Sequence, residues 1–158
     1  MKTVTVKELK TELSTRTHKE VLELCLRLSK FKKENKELLT YLLFESSDEI
    51  SYINNIKLEI DEQFDLINAK NYYLIKKSIR KILRSIKKYI RYSKKKETEV
   101  ELLLYFCRKM QDFKPSIKPN KTLTNLYKRE IEAIKKKITT LHEDLQYDYG
   151  IELEELSL

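Results

Sequence analysis

Apolar side chains recur at intervals of three and four along most of this chain, the spacing that gathers them on one side of an α-helix. Val6, Leu9 and Leu13 predict a short helix over residues 5–13. Thr17 and Glu20 hold the two positions of a capping box, and Val21, Leu24, Cys25, Leu28 and Phe31 follow as a stripe, predicting a helix over 17–31. Leu38, Leu39, Leu42 and Leu43 mark a partner helix over 33–44, ended by Ser46, Ser47 and Asp48. The short connection predicts an antiparallel hairpin. Ser47 is a cap for the next helix, which carries Ile50, Ile53, Ile60, Phe64 and Ile67 as far as Asn68. After a turn at 69–71, a helix over 71–93 is followed by a charged connector at 94–97. Val100, Leu103, Leu104, Cys107 and Met110 then define a helix over 98–113. A loop at 114–121 holds Pro115 and Pro119. A long helix over 122–149 shows Leu123, Leu126, Tyr127, Ile131, Ile134, Ile138, Leu141 and Leu145 on one side, with Gly150 expected as its left-handed terminator.

The predicted fold is therefore all-α, with six to seven helices. They form either stacked antiparallel α-hairpins, HEAT-like in outline, or an irregular helical bundle. Unequal helix lengths rule out a fixed repeat period. One glycine and two prolines in 158 residues leave too few turn formers for a sandwich or barrel. A single helical domain is expected over 1–149, with an acidic C-terminal tail over 150–158.

Charge changes this picture at one place. Between Leu66 and Lys96 there is no acidic residue, while twelve lysines and arginines occur, leaving 21 basic against 25 acidic residues elsewhere. The net charge of +8 thus arises wholly in and around the helix over 71–93. On a helical projection Lys76, Lys77, Arg80, Lys81, Arg84, Lys87, Lys88 and Arg91 fall within an arc of roughly 140°. Ile75, Ile79, Ile82, Leu83, Ile86 and Ile90 oppose them. Burying each apolar side chain contributes roughly 1.5–3 kcal/mol, whereas a like-charge pair one turn apart costs only about 0.2–0.5 kcal/mol. Burial wins.

The cationic face has three readings. It is a solvated surface partly neutralised by Glu59, Asp61, Glu62 and Asp65; or a docking surface of about 35 Å for a phosphate backbone; or a contact for an acidic protein or an anionic membrane. RNA or DNA is the first partner expected. Tyr72, Tyr73, Tyr89 and Tyr92 are candidates for stacking on bases, with Tyr72 and Tyr89 suited better to core packing. The acidic tail is expected either as a last helical turn or folded back over the basic helix in competition with an anionic partner.

Signals for catalysis are sparse. His18 and His142 have no metal-ligand spacing, and no glycine-rich loop exists to cradle phosphate, so no cofactor or metal is expected. Asp61 and Asp65 share a helical face and could hold Mg²⁺ in a nucleotide-processing enzyme, but the basic stretch that follows offers no second acidic motif. Cys25 and Cys107 sit among apolar residues and read as buried thiols in a reducing compartment. The N-terminal residues lack the apolar core of a secretory signal, and the longest apolar run covers only residues 102–107, pointing to a cytoplasmic protein. The expected function is a non-catalytic helical interaction or scaffold protein, against the alternatives of that enzyme or a purely structural helical protein.

Overall fold

Capping residues and apolar spacing set most helix boundaries in the computed structural model, which describes residues 1–156. Eight α-helices are present and no strand occurs among the described residues. They are α1 (Val6–Ser14), α2 (His18–Phe31), α3 (Lys33–Thr40), α4 (Glu49–Asp65), α5 (Tyr72–Ser93), α6 (Lys96–Asp112), α7 (Lys121–Ile138) and α8 (Glu143–Glu154), with a π-helical turn at Tyr41–Glu45 after α3. Reciprocal capping boxes start α1 (Thr5 with Glu8) and α2 (Thr17 with Glu20). The cap of α4 is Asp48 rather than Ser47, its carboxylate accepting the Ser51 backbone N–H at 3.1 Å. A carboxylate so placed also meets the positive end of the helix dipole.

The chain divides into two compact units, Met1–Phe44 and Glu45–Leu158. In the first, α2 packs on α3, and the Asn35 side-chain amide donates to the Leu28 carbonyl at 2.8 Å. No residue of α1, α2 or α3 is buried. The expected inward stripe is therefore solvent-facing at Leu24, Leu28 and Phe31, and so are Leu42 and Leu43. Cys25 is exposed, contrary to the buried thiol expected there. The reason is size: three short helices cannot enclose a core, so helical spacing alone does not bring burial.

The second unit is built around α6. Val100, Leu102, Leu103, Leu104, Phe106, Cys107 and Met110 are all buried, because α4, α5, α7 and α8 each pack against this helix. α4 contributes Tyr52, Ile53, Ile56, Ile60 and Phe64, and α5 contributes Ile75, Ile79, Ile82, Leu83 and Ile86. From α7 come Leu123, Leu126, Tyr127, Ile131, Ile134 and Ile138. Polar contacts pin the edges of this core. Glu49 at the start of α4 accepts from the hydroxyls of Ser93 and Thr98, the latter at 2.6 Å, and pairs with Lys95 at 3.0 Å. Lys57 of α4 meets Glu101 of α6 at 2.6 Å, and Lys137 of α7 meets Glu99 at 2.8 Å.

The long helix expected over 122–149 is broken into α7 and α8. The hydroxyls of Thr139 and Thr140 each donate at 2.8 Å to the carbonyls of Lys136 and Lys137, three residues back, competing with the helical ladder. The Thr140 and Leu141 N–H groups close three-residue turns instead. The Gln146 side chain then returns to the Leu141 carbonyl at 2.8 Å, and His142 Nδ1 caps α8 by accepting from the Asp144 N–H at 3.4 Å. Gly150 is not a terminator. It lies inside α8, no glycine has positive φ, and a Cβ added there would meet nothing within 4 Å.

Two stability measurements follow. Gly150→Ala raises the unfolding free energy by roughly 0.5–1 kcal/mol, since alanine restricts the unfolded chain and fits the helix; a left-handed terminator would give destabilisation instead. Ile79→Ala, at a fully buried position, costs about 2–5 kcal/mol in urea unfolding, whereas Leu28→Ala, 61% exposed, leaves the midpoint nearly unchanged.

Candidate functional site

α5 begins where Asn71 Oδ1 accepts the Leu74 N–H at 3.0 Å, and it ends at Lys94, whose backbone turns left-handed at φ 59°. Between these caps its isoleucine face is fixed against α6, so its opposite face is fixed toward solvent. Lys77, Arg80, Lys81, Arg84, Lys87 and Arg91 are exposed, and Lys76 and Lys88 are half-buried. Ile90, expected in the core, is only half-buried. All eight cations thus share one side of one rigid helix.

Their partners are not the carboxylates expected from α4. Glu59 accepts the Tyr89 hydroxyl at 2.9 Å and 3.0 Å. Asp61 faces α6, where it accepts the Tyr105 hydroxyl at 2.7 Å and pairs with Lys109 at 2.9 Å. Among the described residues, no ion pair joins these two, Glu62 or Asp65 to an α5 cation. Glu130 of α7 does pair with one: it is 1% exposed and holds the Lys87 ammonium at 2.8 Å and 3.0 Å from its two oxygens. Arg129 approaches the same Glu130 at 3.3 Å. Lys88 lies 4.9 Å from the centre of the Tyr89 ring. Among the described residues, no ion pair engages Lys76, Lys77, Arg80, Lys81, Arg84 or Arg91.

α5 and α7 both pack on α6, and a groove of about 580 Å³ lies between them. Arg80, Leu83, Arg84 and Lys87 line it from α5; Thr122, Asn125, Leu126 and Arg129 line it from α7. Each set follows the same spacing of one, four, five and eight, so each is a single helical face. The floor is two leucines and the walls are four cations, a hydroxyl and an amide. Sequence reading placed Arg80, Arg84 and Lys87 here and missed Arg129, Thr122 and Asn125. The α7 spacing was visible, but nothing in the sequence set that face opposite α5. Thr122 lies in the first helical turn, where unpaired backbone N–H groups add positive potential.

The four tyrosines separate as their positions on α5 dictate. Tyr72 is half-buried and donates to the Ser116 carbonyl at 2.8 Å; Tyr89 and Tyr92 are half-buried and stack edge to face at 6.2 Å. Tyr73 is 69% exposed and open to a partner.

Asp61 and Asp65 do not form an open cation site. Both Asp61 oxygens accept from Tyr105, and among the described residues no group of three acidic, histidine or cysteine side chains converges as metal ligands. Burial works to raise the Asp61 carboxyl, but the Tyr105 hydroxyl and Lys109 outweigh it and hold it below the ordinary aspartate range. Burial, with the facing carboxylate, pushes Tyr105 up to about 12. Burial likewise pushes the Cys107 thiol up to about 12, leaving it unreactive at neutral pH. The described part of the tail, residues 150–156, packs against α6 rather than pairing with the basic helix. Residues 150–154 continue α8, Glu155 and Glu152 meet Arg108 of α6 at 3.2 Å and 3.9 Å, and Leu156 is buried; Ser157 and Leu158 lie outside the described residues. Compared with protein-family models, curated proteins and solved structures, the chain shows no significant match.

Asp61→Asn should weaken folding at pH 7 by about 1 kcal/mol or less, solvent screening limiting a carboxylate that is one-third exposed. Because its folded pKa is depressed, the contribution is complete above the unfolded value of about 4 and is lost as pH falls through the folded value. Urea midpoints of the two proteins should therefore converge on acidification, and a gap that persists at low pH would remove Asp61 as the source.

Proposed function

We propose that this protein is a non-catalytic helical interaction module that docks an anionic polymer, nucleic acid first, on the exposed face of α5. The observation that carries this reading is the set of six α5 cations without a carboxylate partner among the described residues. A surface kept only for solubility gains from internal pairing, which cancels repulsion at one-turn spacings. Here Glu59 and Asp61 of α4 are engaged by Tyr89, Tyr105 and Lys109 instead. Over the 22 residues of α5 the charged face extends about 33 Å, enough to follow several phosphates along a strand. Tyr73 adds one exposed ring at the start of that face, suited to stacking on an unpaired base. Such a surface confers affinity with little base readout.

The packing of α4, α5, α7 and α8 around α6 favours an irregular helical bundle over stacked hairpins. No described helix is long and apolar enough to cross a membrane. A cytoplasmic setting belongs to the same reading, supported by two free cysteines.

The test is a salt titration with single-stranded RNA, duplex DNA and anionic vesicles side by side. Nucleic-acid affinity should fall log-linearly with salt. Changing Lys77, Lys81 and Arg91 together to Gln should flatten the slope by about two to three, near 0.7–0.9 per lost phosphate contact, with helix content unchanged. Salt-independent or absent association with both nucleic acids would sink the proposal, and preference for vesicles would redirect it to a membrane surface.

A further inference from the structure

The groove between α5 and α7 differs in chemistry from the rest of the basic face. The chain has 26 lysines and seven arginines, yet three of the groove's four cations, Arg80, Arg84 and Arg129, are arginines. Lysine is a point charge on a flexible stem. Arginine presents a planar fork of donors that fits two oxygens of one phosphate. Its concentration in one concavity, against the bias of the composition, marks a place where phosphate geometry is recognised and not merely attracted.

Charge count narrows the ligand. The four cations stand over the single buried carboxylate of Glu130, which holds Lys87 and Arg129, so the groove has a surplus of three positive charges. An internal phosphodiester supplies one negative charge. A terminal phosphomonoester supplies about 1.5 to 2, and with the adjoining diester it comes close to the surplus. Glu130 also ties the two walls together: its ion pair with Lys87 joins α5 to α7, and it contacts Arg129 on its own helix. Thr122 and Asn125 add a hydroxyl and an amide, and Leu83 and Leu126 add an apolar floor against which a sugar or base can rest. A volume of about 580 Å³ is within the range of sites that enclose a small ligand.

We infer that this groove is a phosphate-recognition subsite that takes the terminal phosphomonoester of a nucleic-acid strand. The inference rests on the docking role proposed for α5 and adds an end preference to it. Binding along α5 supplies the salt-dependent affinity; the groove supplies the register from a strand terminus.

Fluorescence anisotropy on the full chain tests this with one short single strand prepared in three forms: phosphate on the 5′ end, phosphate on the 3′ end, and hydroxyls at both. One of the phosphorylated forms should bind about tenfold or more tighter than the hydroxyl form at equal salt, and which one identifies the end recognised. Arg129→Gln, a 68% exposed side chain off α5, should abolish that increment while affinity for the hydroxyl form changes less than about twofold. If that variant loses helix content, Asn125→Leu serves in its place and should reduce the increment in the same way. Equal binding of all three forms overturns the subsite and leaves the α5 docking surface standing. Binding of a phosphorylated form alone upholds the subsite and overturns docking along the helix. No binding of any form overturns both.

Discussion

The second unit depends on one constraint: α6 is surrounded by four other helices, so almost every side chain it carries must be apolar or partnered. Thr98 meets that demand through Glu49, Glu99 through Lys137, Glu101 through Lys57, and Tyr105 and Lys109 through Asp61. Everything outside α6 is arranged around this requirement. On α4, Asp61 is taken by Tyr105 and Lys109 of α6, and Glu59 by the Tyr89 hydroxyl, so neither neutralises a cation of α5. α5 presents isoleucines to α6, which is why its cations have nowhere to point but outward. The exposed charge is thus a by-product of the same packing that makes the core.

A helix of this amphipathic kind holds its cations in a fixed line, and that is different from a mobile lysine-rich tail. The backbone beneath these charges is already ordered, so binding has only side-chain freedom to remove, less than a mobile tail would lose. Attraction along the helix is nonetheless indifferent to sequence. Under the proposed docking role discrimination would come from concave places, and the arginine-lined groove beside α5 is one that combines charge, forked donors and an apolar floor.

Much of this was legible in the sequence because it is local. The capping pairs Thr5/Glu8 and Thr17/Glu20, the isoleucine stripe of α5 and its uninterrupted cations are all set by residues within a turn or two of one another. What was not legible depends on distance. The apolar periodicity of α7 continues through Leu141 and Leu145, so the break at 139–142 was hidden; it is made by threonine hydroxyls and by Gln146 reaching back. Gly150 suggested a terminator because glycine permits one, but permission is not requirement, and its φ is ordinary. Cys25 and its leucine neighbours have the spacing of a core without enough surrounding chain to make one. The α5–α7 groove needed two faces, 80–87 and 122–129, to be brought together, and no pattern within either of them encodes that meeting.

Glu130 has an effect on which packing the chain selects. Helices built from isoleucine and leucine can slide along one another by a turn at small cost, since one branched aliphatic side chain replaces another. A buried carboxylate removes that freedom. If α7 slipped by one turn relative to α5, Glu130 would lose the Lys87 ammonium and keep only Arg129 of its own helix, leaving a buried carboxylate short of a partner, at a cost of up to about 3–5 kcal/mol. The ion pair contributes little net stability to the correct arrangement, yet it separates that arrangement from its neighbours in energy. A single acidic residue on α7 thereby acts as a key for the alignment of two helices whose hydrophobic faces, by themselves, would accept more than one fit.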